Sequence, residues 1–248
     1  MSQAVSRALA IVDLCEAAPR TLGEIAAALG VHPTTAMRLA HSLSKAGYLR
    51  LDGGRYQLGP RVVSLGAAFL SRLDLRAVAA PVLTELAAAT GETVHLAQRV
   101  GDTVVYVDKV ESIHPLRMYS QVGRSAPLHC TGVGKVILAH APDLLELVSR
   151  DGLELRQFTA KTITTVDGLL AECSRIREAG YSEDDEEHEI TINCLAAPVF
   201  DSDNRVIGGV SVAAPVHRLP LVRLREFAPT LREGARSLSR ALGSSLPG

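Results

Sequence analysis

Residues 21–56, TLGEIAAALGVHPTTAMRLAHSLSKAGYLRLDGGRY, carry the pattern from which the rest of the chain is read. Thr21 and Glu24 have the T-x-x-E spacing of a capping box, and Leu22, Ile25, Ala26 and Leu29 recur at i, i+3, i+4 and i+7, which predicts a short helix with one apolar face. Gly30 ends it, because glycine takes a left-handed C′ position without steric cost, and Pro33 suits the first position of a new helix. Only Val31 and His32 separate the two, so the second helix must cross the first. In that second helix Ala36, Leu39, Ala40 and Leu43 share the inward face, while Thr34, Arg38, His41 and Lys45 share the opposite one, all hydrogen-bonding or cationic. Thr34 and Thr35 stand in the first turn, where free N–H groups favour a phosphate, and Arg38 stands where a guanidinium reaches a guanine edge. Tyr48–Leu51 and Tyr56–Leu58 read as strands around Asp52-Gly53-Gly54-Arg55, a tight hairpin with a cationic tip. Together these features predict a winged helix-turn-helix that meets double-stranded DNA through Thr34, Thr35, Arg38, His41, Lys45 and Arg55. The plainer alternative is a small helical domain with an ordinary solvated face.

The chain has 248 residues, 47% of them hydrophobic, and a mean hydropathy of +0.16, which fits one large or two modest packed domains and excludes disordered and collagen-like classes. No run of about 18 uncharged apolar residues occurs, and residues 1–10 carry Arg7 and no signal-peptide core, so a cytoplasmic protein without a membrane span is expected. Cys15, Cys130, Cys173 and Cys194 are too dispersed for a disulfide framework and are read as reduced thiols. Charge is uneven. Residues 1–65 hold seven Lys/Arg against four Asp/Glu, whereas residues 66–248 hold 19 against 23. A small basic module on a larger acidic one is expected when one part meets phosphates and the other does not.

Val5, Ala8, Leu9, Val12 and Cys15 predict an opening helix that covers the helix pair and ends before Pro19. After the wing, Pro60–Leu73 and Leu75–Thr90 are helical, with Asp74 between them and Gly91 after. The first is apolar nearly all round, which predicts a linker helix buried in a subunit interface. From Glu92 the period moves toward 2, with strands at Thr93–Arg99, Thr103–Val110 and Leu116–Val122. Helices follow at Gly132–Ala139, Asp143–Ser149 and Val166–Ala179, then a hairpin of Cys194–Phe200 and Arg205–Ala213, and a final helix over Pro220–Leu242 with a frayed tail. Strands that follow one another by hairpins give a mostly antiparallel sheet, and the fold class is α+β. The expected division is a DNA-binding domain over 1–59, a linker helix over 60–75 and a ligand-sensing domain over 76–248.

Thr131-Gly132-Val133-Gly134-Lys135 is similar to part of a phosphate loop, but His129 stands where that loop needs glycine and Val136 where it needs Ser or Thr, so nucleotide binding is rejected. The glycines still leave bare N–H groups at a helix N-terminus, a cradle for a small carboxylate, with a plain N-terminal turn as the alternative. His129, Cys130, His188 and Cys194 could make a metal site or a Cys-His nucleophile, hence an alternative reading as a Cys-dependent hydrolase with a helical appendage. No pair has helical ligand spacing, and a lone cysteine before Leu195-Ala196-Ala197-Pro198 is more often a small buried residue. Glu183–Glu187 is a solvated acidic loop by composition, with one carboxylate able to turn inward beside Cys194.

With these residues in place, nearly the whole chain resembles the IclR family of bacterial transcriptional regulators. The matching stretches are Ala4–Leu14, the helix pair, Gly54–Gly59, Pro127–Lys135 (PLHCTGVGK), Gly180–Glu187 (GYSEDDEE) and Cys194–Asp201. The resemblance implies a winged helix-turn-helix joined by a linker helix to a GAF-like effector-binding domain, assembled as a homodimer or homotetramer, with no catalytic residues, metal or cofactor. It also implies an effector pocket in which the Gly132 and Val133 amides hold a small carboxylate, Asp184, Cys194 and Ser211 are its polar positions and Ile192 an apolar wall. Ala213 stands where relatives that bind two- or three-carbon oxo acids often have serine. Thr93–Leu96, Val104–Val107, Leu116–Ser120 and Thr162–Thr164 look closer to the pectin and 2-keto-3-deoxygluconate branch. The expectation is a non-enzymatic repressor released or repositioned by a 2-oxo or sugar acid.

Overall fold

The computed structural model describes residues 3–70, 74–114, 121–151 and 155–246. It divides into two compact units, 1–73 and 74–248.

In the first unit α1 (Gln3–Ala17), β1 (Arg20–Thr21), α2 (Leu22–Leu29), α3 (Pro33–Lys45), β2 (Leu49–Asp52), β3 (Arg55–Leu58) and α4 (Pro60–Leu70) follow in order. The capping box forms: the Glu24 N–H donates to Thr21 Oγ1 at 3.2 Å and the Thr21 N–H to Glu24 Oε2 at 2.6 Å. Gly30 sits at φ +61° and Pro33 opens α3, so the short turn is built as its residues require. Ile11, Cys15, Ile25, Ala26, Ala36, Ala40 and Leu49 make the core. The seam of α1 differs from expectation. Val5 and Leu9 are 48% and 52% exposed, and Ile11 with Cys15, one turn apart, does the packing, because those two lie over the crossing of α2 and α3. The wing is three-stranded, order β1-β3-β2, since the extended residue that caps α2 also pairs with Arg55. Gly59 is held where a Cβ would come 2.3 Å from the Gly47 carbonyl.

The second unit opens with α5 (Leu75–Thr90), capped by Asp74 and closed by Gly91 at φ +70°. Its six-stranded antiparallel sheet, order β6-β5-β4-β9-β8-β7, comprises β4 (Thr93–Val100), β5 (Thr103–Val110), β6 (Ser125–Ala126), β7 (Ser182–Asp185), β8 (Ile192–Phe200) and β9 (Val206–Pro215). α6 (Gly132–Ala139), α7 (Pro142–Asp151) and α8 (Val166–Ala179) pack together, α6 lying on β8 and β9. α5 packs on β4 and against α10 (Ala228–Ala241), which lies on β8. The expected strand over Leu116–Val122 falls mainly outside the described residues, and its last residue, Val122, lies in a turn. The expected single helix over Pro220–Leu242 is broken into α9 (Leu221–Leu224), a 3-10 turn at Arg225–Phe227 and α10. Pro229 near the start of α10 is the cause, since its ring permits a first turn and not a helix interior. The acidic stretch after Gly180 is not a loop throughout: its first part is β7, paired with β8. No helix among the described residues is long and apolar enough to cross a membrane.

Candidate nucleic-acid face and ligand cavity

On α3, Thr34, Arg38, His41 and Lys45 are exposed and Thr35 is half-buried. At about 1.5 Å per residue the row from Thr34 to Lys45 runs roughly 16 Å along the helix, enough to follow a major groove about 12 Å wide. The expectation of free first-turn amides is corrected. His32 caps the helix, so the Thr34 N–H donates to His32 Nδ1 at 3.4 Å and the Thr35 N–H to the His32 carbonyl at 2.9 Å. The Thr34 hydroxyl meets the same ring nitrogen at 2.9 Å. Arg55 is folded back from the hairpin tip: its guanidinium donates to the Pro19 carbonyl at 3.1 Å and lies 3.5 Å from Glu24, because β3 brings it beside the N-terminus of α2. Arg50, exposed on β2 next to buried Leu49, is a wing cation that the sequence reading passed over, although strand alternation marks it.

In the second unit, sheet register gathers polar side chains on one face. Asp184 pairs with Cys194, Cys194 with Ala213 and Ala213 with Thr93, and one pleat further Ser182, Ala196, Ser211 and His95 form the next row. The N-terminus of α6 closes over these rows. Ser182 Oγ donates to the Gly132 carbonyl at 2.6 Å, and a Cβ on Gly132 would stand 2.8 Å from Cys194 Sγ. Gly134 is equally constrained, a Cβ there meeting the Pro127 carbonyl at 2.1 Å. The Gly134 N–H donates to Thr131 Oγ1 at 3.0 Å and the Lys135 N–H to the Thr131 carbonyl at 2.9 Å, leaving the Gly132 and Val133 N–H groups without an intrahelical acceptor.

Beside them lies a cavity of about 390 Å³ bordered by Gly132, Asp184, Ile192, Cys194 and Ser211. Val133, expected at the pocket, does not border the cavity: its side chain is buried in the core, and its amide follows that of Gly132 at the start of α6. His188, singled out from the sequence only as a metal or nucleophile candidate, also borders the cavity, as do His95, Tyr106, Gln121 and Arg124, which were not. Strand alternation could have found His95 and Tyr106, for His95 shares the face of Thr93 and, across the β4 bulge, Tyr106 pairs with Ala97. Arg124 gives no such signal, lying between a turn and the two-residue β6.

Burial pushes the Asp184 carboxyl up to about 7, with the Glu187 charge adding to this and the Glu187 and His188 amides and Lys135 opposing it. Those amides donate to Asp184 Oδ1 at 2.8 and 3.4 Å. Burial holds His95 down at about 4, hence neutral, with Ser211 Oγ 3.5 Å from its Nδ1. Below the cavity Lys135, 1% exposed, pairs with Glu187 and, at 3.5 Å, with Glu172. Glu186 and Thr191 bracket the β7–β8 loop at φ +57° and +73°. For a β-branched residue such as Thr191 that is a strained backbone, of the kind concentrated at binding sites.

Nucleophilic and metal chemistry find no support here. Burial, with Asp184 nearby, raises the Cys194 thiol to about 12, and burial raises Cys130 equally, so both are neutral at working pH. His129 Nε2 bonds the Arg156 carbonyl at 2.9 Å, and Phe158 rests against both His129 and His188, with ring centroids 5.9 and 5.0 Å away. Among the described residues no three metal-ligating side chains cluster.

Residues 4–53 match the IclR helix-turn-helix domain and residues 67–240 match the bacterial transcriptional regulator IclR C-terminal domain. The HTH-type transcriptional regulator KdgR of Escherichia coli K12 is 36% identical over 214 residues, covering 85% of this chain and 81% of the relative. The HTH-type transcriptional repressor AllR of the same organism is 32% identical over 248 residues, covering 98% and 91%. The crystal structure of a putative IclR transcriptional regulator from Silicibacter sp. TM1040 superposes with a TM-score of 0.89 at 26% identity, over 99% of this chain and 98% of that one. The hydrolase reading is thereby set aside, and the chain belongs to the IclR family of transcriptional regulators, which bind DNA through the helix-turn-helix and small-molecule effectors through the C-terminal domain.

Proposed function

We propose that this regulator is a repressor of sugar-acid catabolism, bound to a pseudo-palindromic operator in the cytoplasm as a homodimer or homotetramer and released or repositioned by a hydroxylated 2-oxo acid the size of 2-keto-3-deoxygluconate. The cavity carries this reading. The Gly132 amide at the cavity wall, with the Val133 N–H next to it in the first turn of α6, suits a carboxylate, while Asp184 and Ser211 suit hydroxyls. A volume of about 390 Å³, roughly 13 water volumes, has room for a six-carbon sugar acid with its hydroxyls and is far larger than pyruvate needs. Ala213 contributes a methyl where a serine would add a donor for a shorter acid. The 36% identity to KdgR supports the same branch. Val63 and Leu65 on α4, 75% and 42% exposed, favour burial of this helix against another subunit. Arg38 is the base-reading side chain, whereas Arg55 braces the wing.

Binding would act by differential affinity for one spacing of the paired recognition helices. Calorimetry with 2-keto-3-deoxygluconate, pyruvate and an aromatic acid tests the ligand class. The sugar acid is expected to bind roughly a hundredfold or more tighter than pyruvate, whose missing hydroxyls leave buried polar groups unpaired. Tight pyruvate binding without sugar-acid heat would contradict the proposal, as would undiminished sugar-acid binding in Asp184→Ala.

A further inference from the structure

A second cavity lies at the other end of β8. The effector cavity borders on Ile192 and Cys194, whereas this one borders on Ala197, Pro198 and Phe200. Its volume of about 160 Å³ is some five water volumes. From α10 come Arg232, Arg236 and Arg240, spaced i, i+4, i+8 and hence on one helix face. His140, which closes α6, is a further neighbour, and among the described residues no Asp or Glu borders the space.

The charges there are incompletely compensated. Glu233 pairs with Arg240 at 2.7 Å, in a bridge whose partners are 62% and 55% exposed. Arg236 shares the field of Glu233 without an ion pair to it. Arg232 has no ion pair among the described residues, and its Nε–H is shut from solvent with no acceptor. Gly180, at φ +74°, ends α8 beside it, so close that a Cβ would stand 3.0 Å from Arg232 Nε. The negative end of the α8 dipole thus helps to hold the guanidinium while supplying no hydrogen-bond acceptor to Nε. Ser239 Oγ is committed as a donor to the Ala235 carbonyl and Ser244 Oγ to Asn204, so recognition falls to the arginines.

Adjacent guanidinium groups in a partly enclosed, apolar-walled space repel one another, and a buried donor without an acceptor costs free energy. A tetrahedral oxyanion removes both costs, since guanidinium forks match its oxygens in pairs. We propose that this cavity is a second, independent anion site that takes inorganic phosphate or the phosphoryl group of a phosphate monoester.

Calorimetric titration of the full chain with inorganic phosphate, at fixed ionic strength in chloride, tests this. One saturable site per chain is expected, weakened roughly tenfold or more in each of Arg232→Gln and Arg236→Gln, as for loss of a charge-assisted hydrogen bond. Binding of 2-keto-3-deoxygluconate or pyruvate to these variants should match that of the parent chain, which separates this site from the effector cavity. A parallel titration with glycerol phosphate assigns the source: tighter binding than phosphate marks a monoester site, weaker binding a free-anion site. Half-buried Arg236 keeps the test valid should Arg232→Gln misfold. No saturable phosphate heat in the parent chain, or undiminished heat in Arg236→Gln, would overturn the proposal. Loss of operator affinity in Arg236→Gln with no phosphate binding in the parent would assign the stripe to DNA and likewise overturn it.

Discussion

Lys135→Met is expected to destabilise the effector domain by about 3–5 kcal/mol, the range found when one partner of a buried ion pair is removed. Lys135 is among the largest fully buried side chains, and its ammonium faces Glu187 and Glu172. Glu172 would keep Arg175, whose guanidinium donates to both its carboxylate oxygens at 2.8 Å. Glu187 has no such reserve. Burial already raises its carboxyl, Lys135 is the main group opposing this, and its Oε2 has no hydrogen-bond partner among the described residues. Without the lysine, Glu187 must hold an unpaired buried charge or take up a proton. The loop that anchors Asp184 would be disturbed too, because Glu187 lends its N–H to that carboxylate. Replacing both partners, as Lys135→Met with Glu187→Leu, should recover much of the loss, since an apolar pair of similar volume often matches a buried ion pair. Urea unfolding of the two variants measures this; a loss under about 1 kcal/mol in Lys135→Met, or no recovery in the double variant, would contradict it.

The second large effect is a trade of stability against response at Asp184. Its carboxyl titrates near 7 in the fold against an ordinary value of 3.8, so from about pH 4 to 7 the folded chain keeps a proton that the unfolded chain has lost. Stability from this group is therefore greatest at low pH and falls as pH rises through that window, the charged form being the costly one. The rise from 3.8 to about 7 sets an upper bound of ~4 kcal/mol. Asp184→Asn removes the titration while an amide oxygen can still accept from the Glu187 N–H. Expected are a flatter stability profile between pH 4 and 7, a more stable protein at pH 8, and loss of sugar-acid binding. Thermal unfolding across that range checks the first two; an unchanged pH slope would show that the Asp184 proton is not coupled to folding.

The helix-turn-helix was legible because local rules suffice for it: Thr21, Gly30 and Pro33 each fix a helix end by their own chemistry. His32 as a cap was not, since the ring does what a shorter Ser or Asp usually does, and it takes up the amides of Thr34 and Thr35. Residues of the pocket on α6 and at Asp184, Ile192, Cys194 and Ser211 came from family resemblance, and sheet register explains why they meet. Arg124 and the strained Thr191 depend on how distant segments fold back, which no period in the sequence encodes. The same holds for Lys135. Its glycine-rich surroundings match part of a phosphate loop that His129 and Val136 break, and only the tertiary fold shows it turned toward Glu187 and Glu172.

Effector-dependent release of specific DNA is the most direct test of the chain as a ligand-responsive repressor. Binding of the full chain to the DNA upstream of its own gene would be measured at two salt concentrations, against unrelated DNA, with and without 2-keto-3-deoxygluconate. Expected are a sequence preference, an affinity that falls steeply with salt as phosphate counterions are released, and loss or repositioning of the specific complex when the acid is added. Arg38→Ala should cost roughly 1–3 kcal/mol of specific affinity and relax the preference, whereas Arg55→Ala should weaken all sequences alike. Equal affinity for upstream and unrelated DNA, or a specific complex that the acid leaves unchanged, would contradict it.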